Sequence, residues 1–265
     1  MKYWLHEMTW EEAQEAFKRT DVVLLPIGST EQHGTHLPLG TDIFIPLGVV
    51  DEVASRTGAI IAPLIPYGVC PHHMVKPGTV TISSETLINL LVEVCESLHH
   101  WGAKNILIIN GHNIAQNPEV EIAIQKFQMR VGARARAFLV DQYAIMCETF
   151  DQIRETPYPG GTYHAAEEET SYMLHFRPDL VHMDRAHDVR AKSPSRLIVM
   201  DGFVRGEWIG YKMTKEWWGQ LTPYGNIGDA TKGTREKGEK MARKFIDNLV
   251  EFIDDLKDWP LPVSG

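Results

Sequence analysis

The sequence predicts an α/β fold in three layers, with helices on both faces of a mostly parallel central sheet. Short apolar runs alternate four times along the chain with segments of helical periodicity. This alternation is typical of parallel strands joined by right-handed crossovers. The runs are also continuously apolar, as is expected of strands that are buried on both faces.

The first part of the chain supplies two of these repeats. Thr9 and Glu12 match a capping box, which predicts the start of a first helix. The first predicted strand covers residues 22–28. Residues 43–56 carry apolar side chains at helical spacing, and residues 59–65 form the second predicted strand.

Two further repeats follow in the middle of the chain. Ser84 is suited to cap a helix that ends at Gly102. Residues 105–111 form the third predicted strand, residues 118–131 a helix, and residues 133–140 the fourth strand.

The C-terminal part departs from the alternation. Residues 196–225 combine short apolar runs, glycines and three tryptophans, which predicts a hairpin or an insertion. Two roles are open for the tryptophans, which are Trp208, Trp217 and Trp218. They either form a lid over a small polar ring-shaped substrate or are ordinary packing residues. Apolar residues at helical spacing from 242 to 256 predict a last helix. Without a linker or an internal repeat, residues 1–265 are expected to form a single domain.

Composition excludes several functional classes. The formal net charge is −9 with scattered basic residues, so neither a nucleic acid nor an acidic membrane surface is an expected partner. The three cysteines are far apart and form no CxxC pair, which argues against a disulfide framework and a thiolate zinc site. No apolar run approaches the roughly 20 residues that span a bilayer. We therefore expect a cytoplasmic protein.

Shortly after the first predicted strand, a stretch of twelve residues holds four potential metal ligands: Glu31, His33, His36 and Asp42. The carboxyl edge of a parallel sheet is where α/β proteins usually place their chemistry. Mixed carboxylate and imidazole ligands suit divalent ions. The segment therefore predicts a metal site, and a solvated polar loop is the alternative.

Two further segments bring candidate residues to this edge. His112 follows the third predicted strand, and either binds metal or is a hydrogen-bonded structural residue. His164 and Glu167 are three residues apart and share one face of a helix. The alternative for the acidic residues 167–169 is that they only complement the helix dipole.

Several spaced motifs resemble those of the creatininase (creatinine amidohydrolase) family. Residues 31–42 resemble its Glu-x-His-Gly-x-His-Leu-Pro-x-x-x-Asp signature, and residues 164–171 resemble its His-Ala-Gly-Glu-x-Glu-Thr-Ser segment. Residues 73–79 resemble another family element, a His followed by a Pro-Gly-Thr turn. Residues 225–229 resemble the Gly-Asp turn that precedes the last helix of the family. The resemblance runs in the same order over roughly residues 3 to 250.

The resemblance implies a binuclear metal hydrolase on an α/β/α fold, usually a homohexamer. It implies two divalent ions per subunit, zinc first and manganese or iron as alternatives. The implied metal ligands are Glu31, His33, Asp42, His112 and Glu167, with Asp42 bridging the ions. It also implies that His164 is the acid/base residue, with Glu169 holding its other nitrogen. His36 is expected to support the site without binding metal, and His73 either lines the pocket or is only hydrogen-bonded.

One departure from the family pattern concerns the substrate. In creatinine-specific members of the family, the His that corresponds to His112 is followed two residues later by a Glu that binds metal. This chain has Ile114 at that position. Relatives without that Glu take the ligand from the segment that holds Glu167. Creatinine is therefore disfavoured as the substrate, whereas the metal site is not.

Three functions follow as hypotheses. The first is an amidohydrolase in which a metal-bound hydroxide attacks the carbonyl of a small polar cyclic substrate and a carbon–nitrogen bond breaks. The second is ring opening of a cyclic keto-sugar such as an oxidised inositol, with cleavage of a carbon–carbon bond. The third, from another class, is a non-catalytic metal-binding assembly component.

Overall fold

The computed structural model describes residues 1–193, 195–202 and 209–262. Within this part of the chain a four-stranded sheet has the order β2-β1-β3-β4, and all of its strand pairs are parallel. The strands are β1 (Val22–Ile27), β2 (Ile60–Ile61), β3 (Asn105–Asn110) and β4 (Arg136–Asp141). The predicted parallel sheet is confirmed.

Eight α-helices occur in the described residues, and they include every predicted one. They are α1 (Trp10–Arg19), α2 (Thr41–Thr57), α3 (Ser84–His100), α4 (Asn117–Val131), α5 (Gln142–Ile153), α6 (Glu167–Phe176), α7 (Lys215–Leu221) and α8 (Arg235–Asp255). The capping box at Thr9 and Glu12 is present. Two short strands, β5 (Asp188–Val189) and β6 (Gly228–Asp229), pair antiparallel outside the main sheet. None of the described helices is long and apolar enough to cross a membrane.

The sheet separates two apolar cores, because successive strand residues point to opposite faces. Val22 and Leu24 of β1 pack with α2, α5, α6 and α8, whereas Val23 and Leu25 pack with α1, α3 and α4. This arrangement confirms the predicted three layers.

The second strand is shorter than predicted. The N–H of Ala62 donates to the carbonyl of Leu24 at 2.9 Å, but Pro26, two residues further along β1, has no N–H with which to continue the ladder. Pairing resumes briefly at Ile65, whose N–H donates to the carbonyl of Pro26 at 3.1 Å. The prediction of one continuous strand over residues 59–65 is therefore wrong.

The segment 196–225 contains α7 as its regular element among the described residues. Trp218 of this helix is buried, whereas Trp217 is about half exposed, at 52%. Trp208 lies outside the described residues. The helix packs beside the short turn Pro71–Val75, which carries His73 to the carboxyl edge of the sheet.

Candidate metal centre

Two glycines allow helix α2 to start directly against the ends of β1 and β3. A Cβ atom built on Gly28 would lie 2.8 Å from the carbonyl carbon of Asp42, and one on Gly111 would lie 2.8 Å from Cδ of Pro46. Side chains at these positions would push the helix away. The glycines thus explain how Asp42, in the first turn of α2, reaches the carboxyl edge of the sheet.

Asp42 lies between two imidazoles. Its Oδ1 is 3.0 Å from Nε2 of His33, and its Oδ2 is 2.9 Å from Nδ1 of His112. The hydroxyl of Ser29 donates to Oδ2 at 3.0 Å, which helps to fix the carboxylate. One carboxylate thus faces two separate nitrogen ligands with different oxygens.

Glu31 lies beside Asp42 and is fully buried. Its Oε2 is 3.4 Å from Nδ1 of His112, and its Oε1 is 3.2 Å from Nε2 of His73 and 3.7 Å from Nδ1 of His164. Glu31, Asp42 and His112 can offer ligand atoms that all lie within 4.8 Å of one another.

A second set of candidate ligands lies on the other side of Asp42. His33, His164 and Glu169 also have ligand atoms within 4.8 Å of one another. A third combination joins Glu31, His73 and His164. The structure therefore brings together four of the predicted metal ligands and both predicted catalytic residues, and it adds His73: Glu31, His33, Asp42 and His112 lie beside His164 and Glu169.

Glu167 does not lie in this cluster, which differs from the prediction. Its carboxylate accepts hydrogen bonds from Nζ of Lys237 at 2.6 Å and from the backbone N–H groups of Glu155 and Thr156 at 2.9 and 2.8 Å. Residues two apart on a helix point roughly 200° away from each other. Glu169, whose Oε2 is 3.9 Å from Nε2 of His33, therefore faces the cluster in place of Glu167.

Three imidazoles are oriented in the same way by backbone carbonyl groups. His33 places Nδ1 3.2 Å from the carbonyl of Glu31, and His112 places Nε2 3.3 Å from the carbonyl of Val69. His164 places Nε2 2.7 Å from the carbonyl of Gln32. A ring nitrogen that donates to a carbonyl leaves the other nitrogen available as a ligand or base. In all three residues that second nitrogen faces the carboxylates.

The predicted contact between His164 and Glu169 is replaced by this carbonyl of Gln32. Glu169 instead accepts a hydrogen bond from the backbone N–H of Ala165, and the hydroxyl of Tyr143 donates to it at 3.4 Å. Ala165 has a φ of 48°, in the left-handed region. Such a strained residue beside a site is typical of a chain held in place by its surroundings.

The other predicted residues have clear places. Nε2 of His36 lies 2.9 Å from Oγ1 of Thr170, and His36 is absent from the three candidate ligand groups. His73 lies within the cluster, although it had been expected at most to line a pocket. Gln32 also belongs to the site but was not predicted, and its side-chain nitrogen is 2.9 Å from Nδ1 of His73. Its position between Glu31 and His33 was the available signal.

Burial and charge strongly perturb the pKa values in the metal-free site. Burial and the repulsion of Asp42 raise the pKa of Glu31 to about 7, although the attraction of His112 acts to lower it. For His33 and His112 burial acts downward, but the neighbouring carboxylates raise their pKa values to about 10 and about 9. Burial would raise the pKa of Asp42, yet the two imidazoles hold it well below its usual range. The site therefore holds buried carboxylates close together, and such carboxylates need a cation nearby.

The donor set fits divalent metal ions. Both carboxylate oxygens of Glu31 are buried and make no hydrogen bond. A buried polar atom without a partner costs on the order of 1–3 kcal/mol, which a bound cation would offset. Among the described residues, the ion pairs of Glu31, Asp42 and Glu169 are all with histidines. Carboxylate oxygens and imidazole nitrogens suit zinc, manganese and iron.

Fold and site together are those of a metal-dependent hydrolase. The family model Creatininase, described as creatinine amidohydrolase, matches residues 6–253, and the chain belongs to this family. The hypothesis of a non-catalytic assembly component is therefore set aside.

Curated relatives of this chain include hydrolases of several substrates. A 3-dehydro-scyllo-inosose hydrolase of Thermotoga maritima is 29% identical over 262 residues, which cover 95% of this chain and 82% of that protein. A mycofactocin precursor peptide peptidase of Mycobacterium ulcerans is 31% identical, with coverages of 87% and 84%. A creatinine amidohydrolase of Pseudomonas putida is 28% identical, with coverages of 93% and 94%.

Solved structures share the fold. A creatininase designated Mn superposes with a TM-score of 0.78 at 23% identity, covering 96% of this chain and 98% of that one. A mutant creatininase designated Zn-Zn type gives the same TM-score, identity and coverage.

Proposed function

We propose that this protein is a binuclear hydrolase that acts on the carbonyl of a small polar cyclic substrate. Glu31, Asp42 and His112 would hold one ion, and His33, Asp42 and Glu169 would hold the other. The observation that carries the proposal is the position of Asp42, whose two oxygens face the ligand nitrogens of two different imidazoles at 3.0 and 2.9 Å. Such a carboxylate is placed to bridge two ions.

Divalent ions held by these residues would supply an activated water at neutral pH and would polarise the substrate carbonyl. The protein supplies the proton transfers. Nε2 of His164 is held by the carbonyl of Gln32, so Nδ1 can take a proton and return it to the leaving atom. Burial and the charge of His33 lower the pKa of His164 well below its usual value, which keeps this nitrogen unprotonated at the start of the reaction.

Cleavage of an amide carbon–nitrogen bond is the leading reaction. The mycobacterial relative is a peptide peptidase and the Pseudomonas relative is a creatinine amidohydrolase. Both names describe cleavage of an amide carbon–nitrogen bond. Ring opening of a cyclic keto-sugar is the second candidate, and Ile114 favours it. This residue is 41% exposed and its side chain cannot bind a metal, so a creatinine-type ligand is missing there. Assembly as a homohexamer and a cytoplasmic location stay predictions.

Metal analysis of an Asp42→Ala variant tests the binuclear site. Wild-type protein loaded with zinc or manganese should retain about two ions per chain after dialysis, and Asp42→Ala should retain few of either. Asp184→Ala is the matched control, because its side chain is 78% exposed. Retention of both ions by Asp42→Ala would refute the bridging role.

The acid/base role of His164 needs a separate variant. His164→Ala should keep both ions and lose on the order of 10²- to 10⁴-fold in turnover, which is the usual contribution of a positioned proton transfer. A screen of cyclic ureides, lactams, formamides and cyclic polyol ketones identifies the substrate for this assay. Loss of an ion in His164→Ala would reassign the residue as a ligand.

A further inference from the structure

Trp218 has a polar group that the packing of the protein does not explain. The side chain is 3% exposed, and its indole Nε1 is buried without a hydrogen-bond partner. A buried indole N–H normally finds an acceptor. Nε1 of Trp4, for comparison, donates to Asp51 at 2.7 Å. An unpaired donor in this position indicates that a partner is supplied from outside the chain.

The indole lies directly against His73 and His164 of the candidate metal centre and against His72, which is next to His73 in the chain. Its ring centroid is 4.5 Å from that of His73, 5.2 Å from that of His164 and 5.0 Å from that of His72. All three contacts are edge-to-face, with interplanar angles between 71° and 76°. The apolar neighbours Met200 and Ile227 account for burial of the ring but offer no side-chain acceptor for the N–H.

Helix α7 is fixed well enough to hold the indole in place. The backbone N–H and the hydroxyl of Thr222 both donate to the carbonyl of Trp218, at 2.9 and 2.7 Å. Nζ of Lys76 donates to the carbonyl of Pro223 at 3.2 Å, which ties the end of the helix to the segment after His73. The donor is therefore preorganised beside the site.

We propose that Trp218 is a specificity-determining residue whose indole N–H donates a hydrogen bond to a second oxygen of the substrate, remote from the reacting carbonyl. The proposal rests on the function proposed above and narrows its substrate class. The ring must carry an oxygen acceptor beyond the carbonyl at the metals, either a hydroxyl, as in a cyclic polyol ketone, or a second carbonyl, as in a cyclic ureide. A lactam or creatinine-like ring with one carbonyl leaves the N–H unpaired, which disfavours it.

Binding measurements on Trp218→Phe test this role independently of turnover. The variant keeps an aromatic ring and removes the N–H, and Trp217→Phe is the matched control because Trp217 is about half exposed on the same helix. Metal-loaded proteins are titrated in a calorimeter with inositol (hydroxyl acceptors), hydantoin (a second carbonyl) and creatinine (one carbonyl). Melting temperature and metal content verify that both variants are folded and loaded.

We expect wild-type protein to bind inositol or hydantoin more tightly than creatinine, and which of the two it binds identifies the acceptor. Trp218→Phe should bind that probe about 10-fold more weakly, the size expected for one lost hydrogen bond, with creatinine unchanged. Trp217→Phe should match the wild type. Equal affinities of wild type and Trp218→Phe, an equal loss for creatinine, or no binding of either oxygen-rich probe would overturn the proposal. Failure of the hydrolase proposal would show separately, as absent metal or absent turnover in the wild type.

Discussion

Replacing Gly111 by alanine is expected to displace Asp42 and to weaken both metal positions. Gly111 directly follows strand β3 and touches the first turn of α2. The added methyl group would lie 2.8 Å from Cδ of Pro46 and 3.0 Å from the carbonyl carbon of Asp42, whereas ordinary contacts begin at 3.4 Å. Both contacts are with atoms of the helix backbone or a rigid ring, which cannot rotate away.

The helix would therefore have to move by at least about 0.6 Å to relieve the contact with Pro46. Metal–ligand distances in proteins tolerate only about 0.2 Å. A shift of this size at a bridging carboxylate should lower metal content markedly. A misplacement of about 1 Å in an active site can cost on the order of 10²-fold in rate, so a comparable loss in kcat/KM is expected. Overpacking should also cost about 1–3 kcal/mol of stability.

Elemental analysis, kcat/KM and urea denaturation together separate these effects. Gly58→Ala is the control, because Gly58 caps the other end of the same helix with a φ of 79° and has nothing within 4 Å of an added Cβ. That variant should lose about 1 kcal/mol through backbone strain and keep its metals. A Gly111→Ala protein that retains both ions and wild-type kcat/KM would refute the reasoning.

Three more outcomes are expected. Glu169→Gln should lower metal content towards one ion per chain in elemental analysis, whereas Glu167→Gln should keep both ions and lose about 2 kcal/mol in urea denaturation. Metal loading near pH 8 should release about two protons, because the pKa values of His33 and His112 are about 10 and about 9 in the metal-free site. Calorimetry in buffers of different ionisation enthalpy counts them, and heats independent of the buffer would contradict this. Burial, with the charge of His33, lowers the pKa of His36 from 6.5 to about 4, so the unfolded chain binds a proton that the folded chain does not. His36 should then contribute a fall of about 3 kcal/mol in the free energy of unfolding as the pH drops from about 6.5 to about 4, and His36→Gln should remove this contribution.

The strands and the first ligand segment were predictable because their signals are local. Continuous apolar runs indicated the strands, and parallel geometry then placed His112 beside residues 31–42. The length of the second strand was overestimated, since Pro26 on the neighbouring strand β1 has no N–H to donate to it. The physical signal was present there, in the missing N–H of proline.

The choice between Glu167 and Glu169 could not be made from local sequence. Both are carboxylates in the first turn of one helix, and their spacing alone does not say which one faces the metals. The direction is set by contacts from distant residues, above all the ion pair between Glu167 and Lys237 at 2.6 Å. The position of Trp218 beside His73 likewise depends on the packing of segments far apart in the chain.

Anomalous diffraction from crystals of the zinc- or manganese-loaded protein tests the binuclear site most directly. We expect two peaks about 3.5–4 Å apart, each contacted by a different oxygen of Asp42, with His112 at one peak and His33 and Glu169 at the other. A single peak, or a peak at Glu167, would contradict the proposed site.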